Sequence, residues 1–176
     1  MARLPYADLT RLDAEGQALV QRIEAERGSV LHLYQMLLHS PPLAAGCLNY
    51  LTAVRQKLSI SGALRELIIM RVAQLNGAPY EAAQHAPIAL KEGVSQAQLD
   101  ALDTWRESAL FDDTTRAVLA LTDAMTREIH FDASLMAEVR QHLGERGAVE
   151  VAATIAAYNM VSRFLEALAI DIRDAR

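Results

Sequence analysis

The sequence predicts an all-α protein, a bundle of about eight helices with no sheet. Two observations carry that expectation. The 176 residues include 31 alanines and 25 leucines against 3 Phe, 1 Trp and 8 Gly, a mixture rich in strong helix formers and poor in strand formers. Apolar residues recur three and four apart along most of the chain, and no stretch alternates as a strand would. With 52% hydrophobic and 22% charged residues, a chain of this length buries roughly 70% of its unfolded surface. The whole of 1–176 is therefore read as a single helical domain.

The elements follow in order. Leu12, Leu19, Val20 and Ile23 share one side of a helix from Leu12 to Glu26, stopped by Gly28. A short apolar stretch, Val30 to Leu38, precedes Ser40-Pro41-Pro42, where Ser40 reads as an N-cap ahead of a helix running to about Lys57. Past Leu58 to Gly62, the run Leu64, Leu67, Ile68, Ile69, Met70, Val72 and Leu75 forms a helix that stops at Asn76-Gly77. The next helix spans about Tyr80 to Glu92 and is closed by Gly93. Ser95-x-x-Gln98 is a capping box whose helix is expected to reach about Glu107. Asp112 or Asp113 caps Thr114 to Glu128, and Asp132 caps Ala133 to Leu143. Gly144 and Gly147 are expected to separate the latter from a final helix, Ala148 to about Ile172.

Composition excludes several classes of function. A single cysteine, Cys47, allows no intrachain disulfide, no four-thiolate zinc site and no Cys-x-x-Cys redox pair. A net charge of -5 with dispersed Lys and Arg lacks the basic footprint that nucleic acid demands. The Ala-rich run Val151 to Ser162 is too short to span a bilayer, and no basic segment followed by an apolar stretch opens the chain, so the expected location is the cytoplasm, away from membranes. The high apolar fraction in a small helical chain predicts a homo-oligomer.

The chemistry is concentrated mid-chain. Glu66 sits in a helix that is apolar on nearly all sides, so a buried carboxylate is implied, and it needs a cationic or hydrogen-bonding partner. Arg65 or Arg71 would make it a structural ion pair; a catalytic role is the alternative. Glu81 and His85 are four apart on the next helix and share a face. A carboxylate there fixes the imidazole tautomer and raises its pKa, although such pairs are also common on ordinary helix surfaces. Tyr158, Asn159 and Arg163 form a polar group in the Ala-rich last helix. Arg163 suits a substrate carboxylate, or equally an ion pair with Glu150 or Glu66. Cys47, between Gly46 and Leu48 with no basic neighbour, reads as an inert buried thiol. His32, His130 and His142 read as structural or solvated, none having metal-ligand spacing.

The stretch Leu64-Arg65-Glu66 through Asn76-Gly77, then Tyr80-Glu81, His85, Ile88-Ala89 and Gly93-Val94-Ser95, resembles the carboxymuconolactone decarboxylase family, which includes the alkylhydroperoxidase AhpD. The resemblance is strongest over about 58–104; Leu37 to Pro41, with His39, and Tyr158 to Phe164 resemble the flanks of longer members. It implies an all-α fold assembling as trimers or hexamers, with a site between the central helix pair and its neighbours. AhpD-like peroxidases use a glutamate, a Cys-x-x-Cys pair enclosing a histidine, and a second histidine. Counted from Glu66, the thiol positions fall on Ala78 and Glu81, the inner histidine on Tyr80 and the last on His85. The ends of the relay remain and the thiols are gone, so thiol-based peroxide reduction is not expected. The expectation is a cofactor-independent acid/base enzyme, with no metal, acting on a small carboxylated lactone or related keto or enol compound. His85 would shuttle the proton, Glu81 or Glu66 orient it, Tyr80 donate a hydrogen bond, and Arg163, Tyr158, Asn159 and His39 bind substrate. A divergent AhpD-like peroxidase using Cys47 and a non-catalytic ligand-binding oligomer are the alternatives.

Overall fold

Short polar residues ahead of apolar periodic runs start the helices. The Asp13 carboxylate accepts the N–H of Gly16 and opens α1, Ala14–Arg27. Following α2, His32–Leu37, Ser40 stands at the N-cap of α3, Pro41–Gln56. Its side chain makes no capping bond, a departure from expectation, because Pro42 has no N–H to offer and the Leu43 N–H goes to the Ser40 carbonyl at 2.9 Å. Ser61 caps α4, Gly62–Leu75, and proline starts α5, Pro79–Lys91. The capping box of Ser95 and Gln98 opens α6, Gln96–Ala101; Asp112 caps α7, Asp113–Arg127, and Asp132 caps α8, Ala133–Leu168. The computed structural model describes residues 1–174, and among them there is no strand.

Three boundaries differ from the sequence reading by more than two residues. α6 ends at Ala101, well before Glu107, and tightens into a 3-10 turn over Leu102–Thr104. Tertiary partners take over there: Arg71 binds the Leu102 carbonyl at 3.1 Å and the Trp105 indole N–H reaches Asp123 at 3.3 Å. Gly144, at φ 70 and ψ -179, breaks α8 as expected, but Gly147 lies within the second arm. A Cβ at Gly147 would sit 2.6 Å from the Leu143 Cβ, so that position requires glycine for close approach. The last helix stops at Leu168 rather than about Ile172, because Ala169 turns left-handed and Ile170 folds back into the core with its N–H on the Leu165 carbonyl at 3.0 Å.

α4 packs against α5, α7 and α8. Leu64, Ile68, Ile69 and Val72 enter a main core with α1, α2, α3, α7 and α8. Leu67 faces a second, smaller one with Ala89, Val94, Leu102, Trp105, Phe111 and Leu119. Burial on both sides is why α4 reads apolar all round. Glu150 on α8 fastens the loop before α4, accepting the N–H groups of Ser59 at 2.7 Å and Ile60 at 3.1 Å. Among the described residues no helix is long and apolar enough to cross a membrane.

Candidate active site

Glu66 projects from the middle of α4 with no exposure to solvent, and α5 lies alongside to meet it. One turn into α5, Glu81 and His85 share a face, 4% and 5% exposed. The His85 Nδ1 lies 2.6 Å from the Glu66 Oε2, and its Nε2 lies 3.2 Å from the Glu81 Oε1. One imidazole thus bridges two buried carboxylates, an arrangement in which both ring nitrogens donate only if the ring is protonated. Arg65 adds a bond from Nε to the Glu66 Oε1 at 3.1 Å. Arg71 is not a partner of Glu66, because it is bound to Asp123 on α7.

The charges of this group balance: Glu66 and Glu81 against His85 and Arg65. Burial alone would push the His85 pKa down, but the hydrogen bonds to Glu66 and Glu81, with their negative charge, hold it above the ordinary histidine value. Burial likewise works to raise Glu66, yet the hydrogen bond and charge of His85, with those of Arg65, leave its carboxyl below the usual range. Two carboxylates within reach of the ring nitrogens favour the imidazolium, a proton donor. The edge of Tyr158 meets the His85 ring, with centroids 5.1 Å apart at 87°. Burial raises the Tyr158 pKa well above its ordinary value, the charge of Glu81 adding to this, so the hydroxyl stays protonated.

A cavity of about 30 Å³ adjoins the histidine, room for about one water molecule. Arg55, Tyr80, Glu81, Gln84, His85 and Tyr158 line it, with apolar walls from Leu31, Leu33, Leu51 and Val161. The sequence-derived set therefore converges in part. Glu66, Glu81 and His85 form the relay, Tyr80 and Tyr158 line the cavity, and Tyr80 also lies with its ring 6.2 Å from that of His32.

Three other residues of the set stand elsewhere. Arg163 is exposed and pairs with neither Glu150 nor Glu66, whose arginine partners are Arg146 and Arg65. It follows Tyr158 by five residues, which turns it well away from that side chain around the helix. Asn159 is buried but engaged in holding helix ends together, bonded to Asn76, Thr126 and the Ile155 carbonyl. His39 binds the Pro5 carbonyl at 2.7 Å and fastens the N-terminal segment.

Arg55 is the charged lining residue that the sequence reading missed. It follows the buried Leu51 by four residues, so a basic residue on the inward face of α3 was the available signal. Cys47 is half-buried, outside the cavity lining, and burial pushes its thiol up to about 11 despite the charge of Arg27. Ala78 and Glu81 occupy the positions where the resemblance puts a thiol pair.

A helical bundle whose central helix pair holds a buried Glu-His-Glu network defines a protein of the AhpD-like fold. The sequence profile of the Carboxymuconolactone decarboxylase family matches residues 41–124. That match spans the segment carrying Glu66, Tyr80, Glu81 and His85, just under half of the chain. Among solved structures, a peroxidase-related protein with an alkylhydroperoxidase AhpD core from Ralstonia eutropha JMP134 superposes with a TM-score of 0.84 at 18% identity, covering 98% of this chain and 93% of that one. The debrominase Bmp8, as a cysteine-to-alanine variant in complex with 2,3,4-tribromopyrrole, gives 0.82 at 22% identity over 98% and 94%. A peroxidase-related protein from Silicibacter sp. TM1040 gives 0.81 at 20% identity over 96% and 89%. Likeness at these identities establishes the fold. No curated protein matches the chain by sequence.

Proposed function

We propose that the chain is a cofactor-independent acid/base enzyme that protonates a small enolate, formed by decarboxylation of a carboxylated lactone or a related keto or enol compound. The observation that carries this reading is His85 suspended between Glu66 and Glu81 beside a cavity. In such a reaction the bond from carbon to the carboxylate breaks and carbon dioxide leaves. The electron pair moves onto the conjugated carbonyl, and the carbon then takes a proton. His85 rests in the form that donates one. Its bond to Glu66 is short and holds the ring in place, whereas the 3.2 Å contact to Glu81 is the looser one and lies on the cavity. Nε2 is accordingly the donor atom, and solvent restores the imidazolium.

The reading takes the chain as a cytoplasmic homo-oligomer, a trimer or hexamer, acting on a small molecule without nucleic acid or membrane partners. Sedimentation velocity tests the assembly, and a lone monomer would remove that part. Assay of lactone decarboxylation, with deuterium incorporation from solvent at the product carbon, tests the chemistry. His85→Gln is expected to lower kcat about 10²- to 10⁴-fold; equal rates would remove His85 from the mechanism.

A peroxidase reading needs a reactive thiolate, and Cys47 is the sole thiol. Cys47→Ser is therefore expected to leave peroxide consumption unchanged in a peroxide-clearance assay, and loss of clearance would favour the peroxidase instead.

A further inference from the structure

Three polar side chains on the cavity are left over once the relay is assembled. Arg55, half-buried in the last turn of α3, makes no ion pair or hydrogen bond among the described residues, although every acidic group of the relay is paired with another base. Tyr158 is 2% exposed, and its hydroxyl also has no hydrogen-bond partner among the described residues. Gln84, likewise without a bond, stands beside them on the lining. The vacant capacity consists of donors together with one uncompensated positive charge.

We infer that Arg55 and the Tyr158 hydroxyl form the subsite that receives a carboxylate of the substrate, orienting the reacting carbon toward His85. A guanidinium offers two parallel N–H bonds to a carboxylate and Tyr158 a third donor. The complement is a monoanion: among the described residues lining the cavity Arg55 is the one cation without an ion pair, and the charges of Glu66 and Glu81 are already matched by His85 and Arg65. The cavity of about 30 Å³ that Arg55, Gln84, Tyr158 and His85 line together admits one small group such as a carboxylate, and the rest of the ligand enters only as these side chains move apart. This inference rests on the acid/base reading for the identity of the reacting carbon, but carboxylate binding can be measured without turnover.

Benzoate, with inorganic phosphate as the comparison anion, would be titrated into the wild type and into Arg55→Gln, Arg55→Lys and Tyr158→Phe, followed by NMR, with circular dichroism checking that each variant is folded. Wild type is expected to bind benzoate saturably and phosphate more weakly. Arg55→Gln should weaken benzoate binding at least tenfold, Arg55→Lys should restore part of it, and Tyr158→Phe should weaken it severalfold. Unchanged benzoate binding in Arg55→Gln, no saturable binding to wild type, or tighter binding of phosphate would overturn the subsite. With a carboxylated lactone as substrate, Arg55→Gln should raise KM at least tenfold with a much smaller effect on kcat. Turnover with an unaltered KM in that variant removes the subsite and leaves the acid/base reading standing. Arg55-dependent benzoate binding in a protein that turns over no lactone keeps the subsite and removes the acid/base reading.

Discussion

His85 shows how burial can serve either protonation state. Desolvation disfavours the charged ring, yet two carboxylates within hydrogen-bonding reach reverse the balance. The consequences for stability have opposite signs at the two ends of the bond. His85, raised from 6.5, contributes fully below that value and loses its contribution as pH rises through the higher folded-state value. Glu66, lowered from 4.5, contributes fully above that value and loses its contribution as pH falls through the lower one. Stability should therefore hold between these limits and decline on both sides. Glu66→Gln removes the acidic decline contributed by this residue and lowers the His85 pKa, moving the alkaline limb of activity to lower pH. NMR titration of the His85 ring measures that shift, and an unshifted ring would show that Glu81 alone maintains the imidazolium. Cys47 is the opposite case, since the charge of Arg27 is too weak to offset its burial. With its thiol at about 11, reaction with iodoacetamide at pH 7 should be far slower than for a free cysteine, as mass spectrometry of the labelled protein would show.

At the level of elements, the relay depends on α4 and α5 lying side by side, and the neighbouring turns hold them in register. Asn76 at the end of α4 is fixed by Asn159 of α8, and the loop before α4 is fixed by Glu150. The break in α8 sets where that anchoring helix begins. Gly144 occupies a backbone region open essentially to glycine alone, so Gly144→Ala should destabilise the fold by about 1–3 kcal/mol. Urea unfolding would register this as a lower midpoint with the same slope. Part of this was legible: Ser95, Asp112 and Asp132 lie just ahead of the helices they cap, whereas the Asp13 and Ser61 caps were not read from the sequence. The early end of α6 was not, because the bonds that draw Leu102 and Trp105 inward come from Arg71 and Asp123, distant in sequence.

Across the whole molecule, the second core is tied to α4 by ionic contacts as well as packing. Arg71 grips Asp123 through Nε at 2.6 Å and Nη2 at 3.1 Å, both residues buried. Removing one partner of such a pair leaves an uncompensated charge at a cost of about 3–5 kcal/mol, a large share of a stability of about 5–15 kcal/mol. Asp123→Ala should lower the thermal midpoint steeply while leaving the His85 ring titration unchanged in the fraction that remains folded. Calorimetry and NMR together check both parts.

The sequence by itself determined the helical class, most helix starts, the Glu81 and His85 pair and a buried Glu66; the resemblance to a known family joined Glu66 to His85. Composition, capping residues and i, i+4 spacing act locally along the chain, so these features can be read there. The same resemblance puts Ala78 and Glu81 where thiols would be. Only the tertiary structure decided which polar side chains share the histidine's cavity. It placed Arg55 there, left Arg163 in solvent, and engaged Asn159 and His39 elsewhere. The physical reason is that a helix projection fixes the angle between side chains on one helix, whereas the element each face meets depends on how all the helices pack together.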